Sequence, residues 1–305
     1  MKGLVYKSTG SSYRIKLQDE TFVDCKLSGK FRIDNINSTN PICVGDEVLV
    51  KKSNSSGNVI NKLFERKNYV IRKSVKLSKQ FHIIASNINM CFLIITPKNP
   101  VTSTMFIDRF LASNFAYQID TTIVFNKIDN YDDDSQETAN KLKDIYINAG
   151  YNVISVSAKK KVNIDILKKA MTGNVCVFSG HSGVGKSTLI NSLDPKINIK
   201  TLPISDSNLT GQHTTTFSEM YDLNFDSKII DTPGIKGFGL YNVNKYELKD
   251  FFKEFCTISS CKFNNCLHYH EPGCKVIKAV ENGKISKSRY DNYITMLLEI
   301  ENNFR

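Results

Sequence analysis

The 305-residue chain has no tryptophan and no apolar run long enough to cross a bilayer. Its longest uninterrupted apolar stretch is MCFLII at Met90–Ile95, whereas a membrane helix needs about 20 such residues. The opening MKGLVYKSTG lacks the apolar segment of a secretory signal. The expected location is therefore the cytoplasm, with no membrane partner. No internal repeat or extended low-complexity tract is present, which excludes a repeat architecture. Acid is the scarce charge: 30 Asp and Glu face 41 Lys and Arg, for a net +11. That excess is +4 over residues 1–63, +5 over 64–240 and +2 over 241–305, so it is spread and not gathered in a tail. Such a surface suits a polyanion such as RNA, and VIRKSVKLSK at Val70–Lys79 adds a local run of cations without an acid. An ordinary basic surface is the alternative.

What is present is a globular composition, 41% hydrophobic and 23% charged, and enough length for two or three domains. Over residues 1–63, the short segments GLVYKS, YRIKLQ, TFVDCKLS, EVLVKK and GNVINKLF alternate apolar and polar residues between turn clusters. This pattern predicts a small antiparallel barrel, in which an OB-fold and an SH3-like barrel read alike. Over 64–240 the rhythm changes. Apolar strands MCFLIIT, TTIVFN, NVISVS, NVCVFSG and SKIID alternate with helical segments such as MFIDRFLASNFA and SQETANKLKDIYINAG. Buried strands alternating with helices predict a parallel α/β sheet covered on both faces. Over 241–305, four cysteines crowd together, followed by a segment in which Tyr290, Tyr293, Met296, Leu297 and Ile300 recur at helical spacing as a packing face.

GHSGVGKST, comprising Gly180, His181, Ser182, Gly183, Val184, Gly185, Lys186, Ser187 and Thr188, fits G-x-x-x-x-G-K-[ST] between a strand and a helix. Glycines let the backbone curl its N–H groups onto phosphates at the positive end of a helix dipole. Lys186 is expected on the β- and γ-phosphates and Ser187 on Mg²⁺. IIDTPG follows, with Asp231 44 residues beyond Ser187. Asp231 ends a buried strand and is placed to hold the Mg²⁺ shell, while the Gly234 N–H approaches the γ-phosphate. Between them GQHTTT offers a switch threonine to Mg²⁺, Thr215 first and Thr214 next.

VFNKID contains Asn126, Lys127, Ile128 and Asp129, and precedes the phosphate loop by 54 residues, counted from Asn126 to Gly180. Guanine presents donors at N1 and N2, where adenine has an acceptor and no amine. The Asp129 carboxylate therefore matches guanine and opposes adenine, because buried mismatched polar groups are costly. Asn126 fixes the loop and contacts the far edge of the base, and the Lys127 stem covers its face. Ser157, Ala158 and Lys159 follow the next strand, where the Ala158 N–H meets the guanine carbonyl. The guanine loops thus come first and the phosphate loop, switch and Asp-x-x-Gly follow. A site depends on where loops converge, and nearby termini permit such rearrangement. The order predicts a circularly permuted GTPase whose Asp-x-x-Gly switch leads directly into the C-terminal unit.

VGDEV, NKID, SAK, GHSGVGKSTLIN, GQHTTT, DTPGIKGFGL and the cysteine–histidine run CKFNNCLHYHEPGC together resemble the bacterial ribosome small-subunit-dependent GTPase A family, known as RsgA or YjeQ, over nearly the full length. The resemblance implies an N-terminal OB-fold, a circularly permuted P-loop GTPase domain and a mostly helical C-terminal zinc-binding domain. It implies GTP hydrolysis stimulated by the small ribosomal subunit, late in that subunit's maturation, with rRNA as a contact, by a protein expected to be monomeric. A GTP-gated rRNA-binding module in which hydrolysis is incidental is the alternative. Ile235 stands where many GTPases carry a water-orienting glutamine, so unaided hydrolysis is expected to be slow. The resemblance points to His213 as the assisting catalytic group beside Lys186, while Gln212 stands where the family often has Arg. In a cytosolic chain a cysteine cluster suggests a metal site. Cys261, Cys266, His268 and Cys274 match the family's zinc motif, a closed and therefore structural Zn²⁺ set. Cys256 and His270 lie nearby but outside that spacing.

Overall fold

A computed structural model describes residues 1–28, 40–53, 57–73, 81–199, 218–232, 243–259 and 261–303. Alternating side chains build the first unit, as in β2, whose outward Arg14 and half-buried Lys16 separate buried Tyr13, Ile15 and Leu17. Its strands are β1 (Lys2–Ser8), β2 (Tyr13–Leu17), β3 (Phe22–Leu27), β4 (Glu47–Ser53) and β5 (Gly57–Leu63). They hydrogen-bond in the order β1-β2-β3-β5-β4, with β4 returning to β1. That closed five-stranded order, with β3 parallel to β5, is the OB-fold arrangement and excludes the SH3-like alternative. Its core is Val5, Ile15, Ile42, Val48, Val50 and Ile60, all fully buried.

Next come a hairpin, β6 (Tyr69–Lys73) and β7 (Phe81–Ser86), and then β8 (Met90–Ile95), α1 (Thr104–Ala116), β9 (Asp120–Phe125), α2 (Asp133–Asn148), β10 (Asn152–Ser155), α3 (Ile164–Met171), β11 (Val175–Ser179), α4 (Lys186–Leu193), β12 (Glu219–Leu223) and β13 (Ser227–Asp231). Strands β8 to β11 and β13 are parallel, in the spatial order β10-β9-β8-β11-β13, and β12 joins antiparallel at the edge. Because side chains alternate, β8 sends Cys91, Leu93 and Ile95 into a core with α1 and α2, and Phe92 and Ile94 into another with α3 and α4. The chain leaves β8 for one face and β11 for the other. Neighbouring strands with diverging crossovers open a crevice at their carboxyl ends, where ligands of doubly wound sheets bind.

Two joints hold the units together. At the first, Asp46 is fully buried, paired with Arg66 at 2.6 Å and accepting the Ser86 hydroxyl at 2.6 Å. Gly45 beside it has φ +93°, and a Cβ there would lie 2.1 Å from the Ser86 carbonyl oxygen. Strand β1 also meets β12 at Lys7 and Glu219, so the barrel extends the central sheet. At the second joint, the chain continues through α5 (Lys253–Cys256), α6 (Lys275–Glu281) and α7 (Lys287–Asn303). The α7 stripe packs as its spacing predicts, with Tyr293, Met296 and Leu297 buried. The guanidinium of Arg289, 1% exposed, binds Glu254 on α5 and Asp108 on α1, and Asn292 donates to Asp108 at 2.6 Å.

Removing one member of a buried ion group leaves uncompensated charge and costs about 3–5 kcal/mol, whereas replacing the group with apolar residues is often neutral. Arg289→Met should therefore lower stability by roughly that amount in urea unfolding, while Arg289→Met with Asp108→Leu and Glu254→Leu should recover most of it. A loss below about 1 kcal/mol for Arg289→Met would contradict the triad's role in docking.

Candidate functional site

The loops after β9, β10 and β11 meet because parallel strands place all their carboxyl ends on one edge of the sheet. Only β8 separates β9 from β11, a span of roughly 10 Å at the usual strand spacing. Asn126 closes that gap. Its side-chain amide donates to the Val184 carbonyl at 2.8 Å and its side-chain oxygen accepts the Ala158 N–H at 3.2 Å. It is 1% exposed, and its own carbonyl accepts the Tyr131 hydroxyl at 2.8 Å. Gly185 sits against it with φ +95°, and a Cβ would lie 2.5 Å from the Asn126 Nδ2.

The remaining guanine-loop residues lie around this contact. Lys127 adopts a left-handed backbone (φ 64°) and its Nζ donates to the Asn99 carbonyl at 2.8 Å. Burial lowers its pKa, with Asp129 opposing. Ile128 begins a short 3₁₀ turn, and its N–H donates to the Val156 carbonyl at 3.3 Å. Asp129 is exposed and accepts the Ser157 hydroxyl. The same hydroxyl accepts the Lys160 N–H at 2.9 Å, which folds the turn that exposes Lys159.

Gly180 begins the phosphate loop with φ +146°, and a Cβ there would lie 2.3 Å from the Ile94 carbonyl oxygen. Gly183 also has positive φ, and Ser182 is half-buried. The His181 ring lies on Phe106 of α1, with centroids 3.9 Å apart. Burial and the neighbouring Lys186 lower the His181 pKa. Lys186, 8% exposed, donates to the Gly180 and His181 carbonyls at 2.8 and 2.9 Å. Burial pushes its ammonium down to about 8, with Asp231 opposing. Ser187 is half-buried in the first turn of α4, and Thr188 is exposed. Asp231 ends β13 buried, and Thr232 donates to the Phe178 carbonyl at 2.9 Å. Gln212, His213, Thr214, Thr215, Gly234 and Ile235 lie outside the described residues.

Three contacts here have no sequence signal: Phe106 beneath His181, Tyr131 on Asn126, and Asn99 on Lys127. Each partner is an ordinary residue brought in by the fold.

A second site lies in the C-terminal unit. Cys261, Cys266, His268 and Cys274 bring their donor atoms within 4.8 Å of one another. The Cys261 and Cys274 sulfurs are 3.8 Å apart, and the His268 Nδ1 is 3.3 Å from Cys266 and from Cys274 and 3.7 Å from Cys261. Four such donors fit one tetrahedral metal ion with no ligand position left over. Glu271 accepts the Leu267 and Tyr269 N–H groups and so ties down the turn between ligands. His268 takes φ 57° there, and its carbonyl accepts the Tyr290 hydroxyl at 2.7 Å. Cys256 is exposed and donates to the Asp250 carbonyl, while the His270 ring lies on Tyr269. Neither belongs to the group.

The family model described as RsgA GTPase matches residues 63–241, and that described as RsgA N-terminal domain matches 2–60. The small ribosomal subunit biogenesis GTPase RsgA of Christiangramia forsetii is 50% identical across 100% of this chain and 98% of its own. The Bacteroides thetaiotaomicron protein named small ribosomal subunit biogenesis GTPase RsgA 2 is 49% identical, covering 99% and 97%. The crystal structure of YjeQ from Thermotoga maritima superposes with a TM-score of 0.74 at 33% identity, covering 98% of both chains. YloQ, described as a circularly permuted GTPase, superposes at 0.73 with 27% identity, over 99% of this chain and 95% of its own. Taken with the permuted loop order and the closed OB barrel, these matches establish that the chain belongs to the RsgA GTPase family.

Proposed function

We propose that this GTPase hydrolyses GTP to GDP and phosphate under stimulation by the small ribosomal subunit and its rRNA, and that the cycle serves late maturation of that subunit. The observation that carries the reading is the Asn126 bridge, which brings the guanine-reading and phosphate-binding loops within reach of one nucleotide. The names of the relatives, small ribosomal subunit biogenesis GTPases, support the ribosomal half.

In this reading residues 1–63 form the RNA-facing barrel, 64–240 the GTPase domain and 241–305 the zinc domain. Asp129 accepts from guanine N1 and N2, and Ala158 donates to its carbonyl oxygen. Lys127 covers the base, with Ile128, Ser157 and Lys159 shaping the pocket. Residues 180–188 hold the phosphates, with Lys186 as the counter-charge. Ser187, Thr215 and Asp231 would hold the Mg²⁺ that accompanies GTP, and that ion would supply neutralisation of the charge developing on the phosphates. Gly234 reads the γ-phosphate and His213 assists the attacking water. Zinc suits the Cys₃His group: bonds of about 2.3 Å to sulfur and 2.0 Å to nitrogen put tetrahedral donors roughly 3.5–3.8 Å apart, against contacts of 3.3–3.8 Å. A closed set of that kind stabilises a segment with little core of its own. The chain acts in the cytoplasm as a monomer.

Turnover measured against increasing small subunits, with large subunits as control, tests the reading. Saturable acceleration by small subunits alone is expected. No acceleration would favour the GTP-gated rRNA-binding module. Lys186→Ala should weaken GTP binding about 10- to 100-fold by removing charge-assisted hydrogen bonds. Phosphate needs the ammonium form, and that form is lost as pH rises through about 8. Wild-type GTP affinity should therefore fall about tenfold from pH 7 to pH 9, and Lys186→Ala should lack that fall; equal falls in both proteins would remove Lys186 from the phosphates. Asp129→Asn should shift preference from GTP to XTP, whose base carries a carbonyl in place of the N2 amine. Retained GTP selectivity in a competition assay would refute that pairing.

A further inference from the structure

Where the barrel joins the central sheet, an open cleft of about 430 Å³ lies between β1–β3 on one side and the segments flanking residues 200–217 on the other. Its barrel wall carries Tyr6, Arg14 and Phe22, and its other wall carries Lys196–Ile199 and Glu219–Asp222. Phe22 is 44% exposed, an unusual state for a phenylalanine on a packed barrel strand. Tyr6 braces it edge-on with ring centroids 5.2 Å apart, and the Arg14 guanidinium lies over its ring at 4.8 Å. Together they form a layered stack at the mouth of a cleft, with the guanidinium over the Phe22 ring and Tyr6 nearly perpendicular beside it.

The charge of the cleft is decided by which groups are already paired. Glu219 is held by Lys7 at 2.9 Å, and Asp222 by Lys16 at 2.9 Å and Lys228 at 3.1 Å, with the Tyr6 hydroxyl donating to it at 2.7 Å. Arg14 and Lys196 are in no ion pair among the described residues. Among the described residues the charge left over is cationic and sits beside an exposed ring. A base has a π-face for such a stack and a phosphate for such cations, which is how single-stranded nucleic acid is gripped without sequence readout. An apolar peptide side chain would match the ring and leave both cations unanswered.

We propose that this cleft is a single-nucleotide RNA site: an unpaired base stacks on Phe22 and Arg14, and Lys196 takes its phosphate. The inference deepens the rRNA contact of the proposed function and rests on it for the identity of the RNA. A nucleotide seated there touches both stems of the segment that carries His213 and Thr215.

The absence of tryptophan supplies the experiment. Phe22→Trp introduces the chain's sole indole and keeps a stacking surface. Its fluorescence should be quenched by a single-stranded ten-nucleotide RNA and by small subunits. Phe22→Ala should weaken binding of that RNA about 5- to 100-fold, the range for one base–aromatic stack. It should also lower subunit-stimulated turnover, with basal turnover and thermal unfolding unchanged, and Phe22→Trp should restore the stimulation. Stimulation of Phe22→Ala equal to wild type would overturn the cleft and leave the proposed function standing. Quenching by small subunits but not by the RNA or by protein-free rRNA would mean a protein occupant and likewise overturn it. If small subunits fail to stimulate the wild type, the proposed function falls. The oligonucleotide then decides alone: quenching supports the cleft, and its absence overturns it.

Discussion

The permuted domain works only if two loops 54 residues apart in the unusual order are locked together, and one side chain does that. Asn126 spends its amide on the Val184 carbonyl and its oxygen on the Ala158 N–H. A buried amide with both ends matched is worth far more in place than removed, because each partner left behind would be an unmatched polar group. The lock needs Gly185, since any side chain there would strike the Asn126 amide. Spatial order is therefore preserved where chain order is not: parallel strands supply a common edge, and Asn126 fixes the register of the loops along it.

Buried charge performs the corresponding task between units. Asp46, which holds Arg66 of the following linker and Ser86 of β7, joins the barrel to the β6–β7 hairpin, and Arg289 joins α5 and α7 to α1. Such pairs add little net stability compared with apolar packing, but they penalise any other docking, because separation strands a charge. α1 stands at the centre of this arrangement. It carries Asp108 toward Arg289 and Phe106 against His181, so one helix touches both the C-terminal unit and the loop at Gly180–Thr188.

Much of this was legible in the sequence because it is local. The phosphate loop, NKID and the period-2 strands of the barrel are contiguous, and their spacing carries their chemistry. The strand order that separates an OB-fold from an SH3-like barrel is not local, and it required the β3–β5 and β1–β4 pairings. VIRKSVKLSK reads as a cation run, yet its first residues form β6, with Val70 and Ile71 buried against the core. Arg289 sits among Lys287, Ser288 and Asp291, a surface-like context, and its burial depends on Asp108, 181 residues away. Asn126 was legible as a loop-fixing residue, but its two partners were not. Cys261, Cys266, His268 and Cys274 were legible as a set, and geometry leaves Cys256 and His270 outside it.

The central claim is that the loops at Asn126–Asp129, Ser157–Lys159 and Gly180–Thr188 surround one guanine nucleotide. A crystal structure with Mg²⁺ and a non-hydrolysable GTP analogue tests it most directly. The account places the Asp129 carboxylate within hydrogen-bond distance of guanine N1 and N2 while the β-phosphate lies in the loop ending at Lys186. A base bound elsewhere, with Asp129 facing only solvent, would contradict it.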